Sequence, residues 1–257
     1  MYYAGIDAGA INTAVVILDG DRIILQKVVN SLTDDPDPLR IMNAALEEAG
    51  LEGEEIDGIV ATGRGRGICL FANKQSPEVI CQARGALYFL PTARTIINLG
   101  AENSRIICLN DSGKVKAFAA NDKCAAGSGL FLDSMADLMG IPVSEMGGLA
   151  LNAPSAEGVS SRCAVFAESE VISHIHRGVP KERILAGLHL AVTDRIMELS
   201  QKVTIEPALM VTGGVARNRA IIKDIEMKLG LSVYIPPGPQ IVGALGAALL
   251  AQDQAGS

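Results

Sequence analysis

Short apolar runs alternate with amphipathic stretches along the whole chain. Residues 3–8 and 14–19 read as strands, and 21–29 as a third, joined to the second by the turn signal Asp19-Gly20. After Asp37-Pro38, the positions Leu39, Met42, Ala45, Leu46 and Ala49 fall on one helical face. A short strand ends at Val60, before the glycine-broken loop 62–67, and a helix over 77–89 and a strand over 95–100 follow. A second hairpin over 105–109 and 114–119 surrounds Asn110-Asp111-Ser112-Gly113. Helices are expected at about 125–139, 142–151, 165–177 and 181–203, then a strand at 208–212, a helix at 216–229, a strand at 232–235 and a helix at 241–252. The pattern predicts an α/β protein.

A faint repeat runs through this alternation. The stretch from Ile6-Asp7-Ala8-Gly9 to Leu18-Asp19-Gly20 is echoed from Leu99-Gly100-Ala101-Glu102 to Asp111-Ser112-Gly113, each reading strand, small polar turn, apolar strand, tight turn. Two such hairpins whose backbone N–H groups face across a cleft can hold the phosphates of a nucleotide, and they are equally two ordinary hairpins. A third glycine element, Val211-Thr212-Gly213-Gly214-Val215-Ala216-Arg217-Asn218, places paired glycines between a strand and a helix, where backbone can approach a ring or a phosphate closely. No P-loop or Gly-x-Gly-x-x-Gly fingerprint stands at a strand-to-helix turn, which removes the P-loop and Rossmann readings.

Composition narrows the class. The net charge of −7, with basic residues mostly single apart from Arg64-Gly65-Arg66, argues against a nucleic-acid partner. No apolar run reaches the length of a membrane span, and the N-terminus lacks the basic and apolar regions of a signal peptide, so a cytoplasmic protein without a membrane partner is expected. Its five cysteines are then thiols or ligands, not disulfides. Cys124, in Asn121-Asp122-Lys123-Cys124-Ala125-Ala126-Gly127-Ser128-Gly129, and Cys163, in Ser160-Ser161-Arg162-Cys163-Ala164-Val165-Phe166-Ala167-Glu168, each precede a predicted helix and lie 163 − 124 = 39 residues apart. Such a position offers a thiolate free amides and a partial positive charge. If the two bind metal they are half of a four-ligand set, and the missing pair comes most economically from a second subunit. Cys69, Cys81 and Cys108 lie in apolar patterns and read as core. His174 and His176, two apart on a predicted helix, point about 200° apart and do not share a metal.

In this order, with the final Ile241-Val242-Gly243-Ala244-Leu245-Gly246 helix, the glycine elements resemble the actin-like ATPase superfamily. The cysteine segments are similar to those of the activators of 2-hydroxyacyl-CoA dehydratases and the ATPase subunits of benzoyl-CoA reductase. The resemblance spans essentially the whole chain. It implies two ribonuclease-H-like lobes with a nucleotide cleft between them: residues 1–93 with the first phosphate loop, completed by 241–257, and residues 94–240 with the second phosphate loop, the cysteines and the adenosine loop. It also implies ATP and Mg2+, one [4Fe-4S] cluster ligated by Cys124 and Cys163 of two identical or related subunits, and an external low-potential donor such as ferredoxin or flavodoxin. The electron would pass to an iron-sulfur acyl-CoA reductase or dehydratase component.

Carried over by position, Asp7 matches the acid that holds Mg2+ through water, and Gly9, Ala10, Asn12 and Thr13 match the first phosphate loop. Gly100 belongs to the second, Gly213 and Gly214 pack against adenosine, and Asn218 and Gln240 lie nearby. The chain departs from the family at the second loop, where Gly100-Ala101-Glu102-Asn103 stands in place of Gly-Gly-Gln-Asp. Asn103 cannot act as a general base and Glu102 can, so both are candidate catalytic positions. That departure, with Gln82-Ala83-Arg84-Gly85-Ala86-Leu87-Tyr88 and Val159-Ser160-Ser161-Arg162-Cys163-Ala164-Val165, looks closer to the smaller benzoyl-CoA reductase ATPase subunit than to a homodimeric dehydratase activator. A small-molecule kinase of the same superfamily would need a catalytic aspartate near 61–63, where none stands. A non-catalytic nucleotide sensor would accommodate Asn103.

Overall fold

The computed structural model describes residues 1–121, 128–160 and 163–255, so Cys124 lies outside the described residues. The chain divides into two compact units. The first comprises Met1–Ile96, Leu109–Lys116 and Pro236–Ser257; the second comprises Ile97–Cys108 and Ala117–Ile235. Where cuts at 93 and 240 are expected, the units divide after Ile96 and before Pro236, and the 109–116 turn belongs with the first unit. There the Leu109 N–H donates to the Arg94 carbonyl at 2.8 Å, and a Cβ on Gly113 would come within 2.6 Å of Leu87 Cδ1.

In the first unit, β1 (Tyr2–Ala8), β2 (Asn12–Asp19), β3 (Arg22–Asn30), β4 (Ile56–Thr62) and β5 (Lys74–Gln75) form a sheet in the order β3-β2-β1-β4-β5. The first three pair antiparallel, β4 joins β1 in parallel and β5 joins β4 in parallel. Strand period 2 sorts the side chains: Ala4, Ile6, Val15 and Ile17 pack with Ile41, Met42 and Ala45 of α1 (Pro38–Ala49), while Ala14, Val16 and Leu18 pack with Ala244, Leu245 and Ala248 of α8 (Val242–Ala255). Asp37 caps α1, accepting from the Leu39 N–H at 2.9 Å. Helix α8 is apolar on nearly every side because it is buried between the sheet and α2 (Glu78–Phe89). Its small residues let backbone meet backbone, since a Cβ on Gly5 would lie 2.0 Å from the Ala244 carbonyl oxygen and one on Gly246 1.8 Å from that of Cys81.

The second sheet runs β10-β9-β6-β7-β8, from β6 (Thr95–Leu99), β7 (Ser104–Leu109), β8 (Val115–Asn121), β9 (Leu209–Thr212) and β10 (Val233–Tyr234). Ile97, Leu99, Ile106, Leu209 and Val211 share one core with α3 (Gly129–Met139), α4 (Val143–Leu151), α5 (Ala164–His176), α6 (Lys181–Ser200) and α7 (Arg219–Leu229). Some expected elements differ at their ends. Among the described residues α3 begins at Gly129; α6 ends at Ser200; and the helix expected over 216–229 is a 3-10 turn, Gly214–Arg217, followed by α7. The break falls at Asn218, whose extended backbone lets its side chain cap α7. Strand β5, two residues long, has no signal in the sequence. No helix among the described residues is long and apolar enough to cross a membrane.

Candidate functional site

The two units are built around the same turn. In the first, Gly9 donates its N–H to the Asn12 carbonyl at 3.0 Å; in the second, Gly100 donates to the Asn103 carbonyl at 2.9 Å. The repeat thus has an offset of 100 − 9 = 103 − 12 = 91 at the turns. It differs by two from the offset of 113 − 20 = 93 at the hairpin ends, where Gly20 and Gly113 both take positive φ. In the turn register Asp7 corresponds to Asn98 and Ala8 to Leu99. The symmetry goes one strand further: Gly63, after β4, and Gly213, after β9, both have φ +89°. A Cβ on Gly63 would stand 2.4 Å from the Ala8 carbonyl oxygen and one on Gly213 2.2 Å from that of Leu99. Each unit therefore closes its glycine turn with a second glycine in the left-handed region, which a side chain would both strain and obstruct.

Asp7, next to last in β1, pairs with Ala14 and Thr62, and its carboxylate lies against two glycines. A Cβ on Gly63 would approach Oδ1 to 2.5 Å and one on Gly243 would approach Oδ2 to 2.1 Å. Gly243 is in the first turn of α8, whose free amides favour an anion. A partly buried carboxylate so placed suits a hard cation such as Mg2+. The charge reaches its neighbours: Cys69 is pushed up to about 11, by burial first and by Asp7 second. Gly9 is exposed, and Ala10 and Asn12 are half-buried, in the turn itself. Thr13 is buried with its hydroxyl hydrogen-bonded to that of Ser31 at 2.8 Å, so its side chain ties the hairpin together. Gln240 precedes α8 in the same unit.

In the second unit Glu102 and Asn103 are half-buried in the turn, and Arg105 Nη1 donates to Asn103 Oδ1 at 3.1 Å. The Gly100 and Ala101 carbonyls accept from the N–H groups of Gly129 and Leu130, at 2.9 and 2.8 Å. The first two amides of α3 are therefore engaged by the turn and not offered to a cluster, contrary to the helix-terminus expectation. A Cβ on Gly129 would sit 3.3 Å from Ala101 Cα and 3.4 Å from Val215 Cγ2, so the glycine turn, the 213–217 loop and the start of α3 meet at one residue. Asn98, buried, donates from Nδ2 to Thr212 Oγ1 at 3.0 Å. Asn218 uses its side chain on the protein, Oδ1 accepting from the Ala220 and Ile221 amides. A shallow cavity of about 280 Å³ opens beside the loop, between Ala216, Arg217, Lys223 and Glu226.

Cys163 is the N-cap residue of α5, extended in backbone, its side chain making no cap hydrogen bond and its residue half-exposed. Val165 and Phe166, immediately after it, are 67% and 66% exposed. The preceding strap is firmly held: Glu170 Oε2 accepts from the Ser160 N–H at 2.6 Å, and His174 Nε2 bonds the Gly158 carbonyl at 2.8 Å. A Cβ on Gly187 would fall 1.9 Å from the Glu157 carbonyl oxygen, so α6 seats the strap directly. Cys69, Cys81 and Cys108 are buried, and burial also raises Cys81. A thiol such as Cys163 fits a ligand role and the other three do not. Among the described residues no group of three or more His, Cys, Asp or Glu side chains is placed to hold a metal.

Sequence reasoning missed Asn98, Gly63, Gly129 and Gly243. Asn98 carried a signal, as the one strongly polar residue in the run Ile96-Ile97-Asn98-Leu99.

The family model described as the BadF/BadG/BcrA/BcrD ATPase family matches residues 4–251. The activator of lactoyl-CoA dehydratase from Anaerotignum propionicum is 42% identical, over 99% of each chain. The solved structure of an activator of 2-hydroxyisocaproyl-CoA dehydratase from Clostridium difficile, with bound ADPNP, is 38% identical with a TM-score of 0.94, covering 100% of this chain and 96% of that one. A benzoyl-CoA reductase component from Thauera aromatica is 34% identical over 96% of this chain and 91% of its own. The preference for the benzoyl-CoA reductase type is thereby corrected: the Glu102-Asn103 departure weighed too heavily against similarity spread over the whole chain, which favours the dehydratase activators. Solved structures at 17% and 13% identity, with TM-scores of 0.63 and 0.59, share the fold alone, that of the actin-like ATPases. On this full-length match the chain belongs to the BadF/BadG/BcrA/BcrD ATPase family.

Proposed function

We propose that the chain is an ATP-driven activator of an acyl-CoA dehydratase of the 2-hydroxyacyl type, working as a dimer of identical copies. The carrying observation is Cys163: a half-exposed thiol at a helix start, on a strap tied down at Gly158 and Ser160, beside two large apolar side chains exposed to solvent. Cys124 and Cys163 from two copies complete four thiolates, and Val165 and Phe166 are the surface a second copy covers. A [4Fe-4S] cluster held there supplies one-electron transfer at low potential. Ferredoxin or flavodoxin is the class of donor, and the dehydratase component is the acceptor.

Asp7 holds Mg2+ through water, and the glycine turns at 9–12 and 100–103 take the phosphates. Glu102 is the group able to accept a proton from the attacking water, because Asn103, fixed by Arg105, has no basic atom. Coupling runs through the second unit: the Gly100 and Ala101 carbonyls hold the first two amides of α3, which begins 129 − 124 = 5 residues after Cys124. A change in that turn on ATP binding acts on the cysteine segment through these two hydrogen bonds. The test is an anaerobic assay with reduced flavodoxin, ATP and the dehydratase component that co-purifies with the chain. Dehydration that depends on both ATP and this chain is expected; turnover at the same rate without ATP contradicts the reading.

A further inference from the structure

The junction between the 213–217 loop and α7 is fixed by a residue that the proposed nucleotide chemistry does not use. His189, in the middle of α6, is buried, and its Nδ1 donates to the Leu185 carbonyl at 2.6 Å. With that proton on Nδ1, the neutral ring leaves Nε2 as an acceptor, and Asn218 Nδ2 lies 2.9 Å from it. The amide of Asn218 can then stand only one way round, with Oδ1 toward the N–H groups of Ala220 and Ile221 at 3.1 and 3.4 Å. Turning it over would set donor against donor at α7 and acceptor against acceptor at His189. Helix α4 closes the remaining side, since a Cβ on Gly147 would lie 2.5 Å from Asn218 Oδ1.

We propose that His189 is a positioning residue for the nucleotide loop: by accepting from Asn218 it orients the cap of α7, and through that cap it holds residues 213–217 in the conformation that receives ATP. The proposal rests on reading 213–217 as the adenosine loop. It has a consequence in pH. Protonation gives the ring a second N–H, aimed at the Asn218 donor, and forces the amide to turn away from α7. Helices α4, α5 and α7 pack on α6, and among the described residues the groups that act on the ring's titration are the Leu185 carbonyl and the Asn218 amide, with no carboxylate, lysine or arginine. Burial holds the ring neutral, below the ordinary histidine value of 6.5.

The experiment measures ATP affinity across pH, together with amide hydrogen exchange over 213–221, in the native chain and in His189→Gln and His189→Met. Glutamine keeps a side-chain oxygen that can accept; methionine keeps the bulk without a comparable acceptor. In the native chain ATP slows exchange at 213–217, and affinity declines on the acid side, at pH values below the ordinary histidine value of 6.5, because burial disfavours the charged ring. His189→Met weakens ATP binding about tenfold and speeds exchange at 213–221 alone, the scale set by one buried donor left without an acceptor. His189→Gln binds within about threefold of the native chain and loses the acid-side decline. Native affinity and protection in His189→Met overturn the proposal, as does a loss in His189→Gln equal to that in His189→Met. If methionine prevents folding, a loss in His189→Gln well beyond threefold, or an acid-side decline in it as steep as the native chain's, overturns it. If ATP gives the native chain no protection at 213–217, it is the loop reading that fails, and with it the proposal.

Discussion

The Asp7 carboxylate lies in the space that Gly243 leaves by having no side chain: a Cβ there would stand 2.1 Å from Oδ2 and 3.0 Å from Gln82 Nε2. Both positions are fixed by backbone, Asp7 by pairing with Ala14 and Thr62 and Gly243 by α8, so neither can yield easily. Gly243→Ala is expected to displace the carboxylate and weaken Mg-ATP binding by about tenfold or more, equivalent to about 1.4 kcal/mol. Calorimetric titration with and without Mg2+ checks this. Affinity equal to the native chain's in the presence of Mg2+ would show that Asp7 has no part in holding the cation.

Glu102 and Asn103 divide the work of the second turn unequally. Glu102→Gln should lower ATP turnover about a hundredfold with little change in ATP affinity, the range for removal of a general base. Asn103→Asp places a carboxylate against Arg105, which already donates to that position at 3.1 Å, and should leave turnover equal or higher. Steady-state phosphate release by both variants decides the matter, and full turnover by Glu102→Gln removes Glu102 from the chemistry.

Gly129 is where the second glycine turn, the 213–217 loop and α3 converge. Its missing Cβ would meet Ala101 Cα at 3.3 Å and the Gly100 oxygen at 3.4 Å, contacts that alanine can accommodate with a small shift and valine cannot. Gly129→Ala should lose about 1 kcal/mol of stability, and Gly129→Val about 3 kcal/mol together with most of its ATP affinity. Thermal unfolding with and without ATP distinguishes them. Equal stabilisation of both variants by ATP would place the convergence outside the nucleotide response.

The cysteines separate by reactivity. In the cluster-free chain at about pH 8, an alkylating reagent should label Cys163 and spare Cys69, Cys81 and Cys108, which are buried. For Cys69 the folded value lies above the unfolded one. Its contribution to stability is therefore complete below the ordinary 9.0 and is lost as the pH rises toward about 11. Cys69→Ala should flatten the alkaline fall of the unfolding midpoint in that interval, and an unaltered fall would assign it to other groups.

Much of this was legible in the sequence because both periodicities were strong. Strand alternation in 3–8 and 14–19 and the helical face from Leu39 to Ala49 became β1, β2 and α1 nearly unchanged. Asp7, Gly9 and Gly100 could be found because turn glycines and a strand-ending acid leave a local mark. Gly243 and Gly129 could not, since what each avoids lies more than 25 residues away in the chain, at Asp7 and at Gly100 and Ala101. The repeat was visible but two residues out of register. The longer turn at Asn110-Asp111-Ser112-Gly113 sets the hairpin ends in line, whereas the hydrogen bonds of Gly9 and Gly100 align the turns. The break at Asn218 was hidden by a continuous helical pattern on both sides, and only the capping geometry reveals it.

The central claim is that Cys124 and Cys163 of two copies hold one cluster. Its most direct test is the iron and sulfide content of the anaerobically purified chain, measured together with the mass of the assembly in solution, for the native chain and Cys163→Ser. The account predicts a dimer with about two iron and two sulfide per chain, half of one [4Fe-4S] cluster, and a colourless Cys163→Ser that still binds ATP. A monomer carrying about four iron, or a Cys163→Ser variant retaining the full visible absorbance, would contradict it.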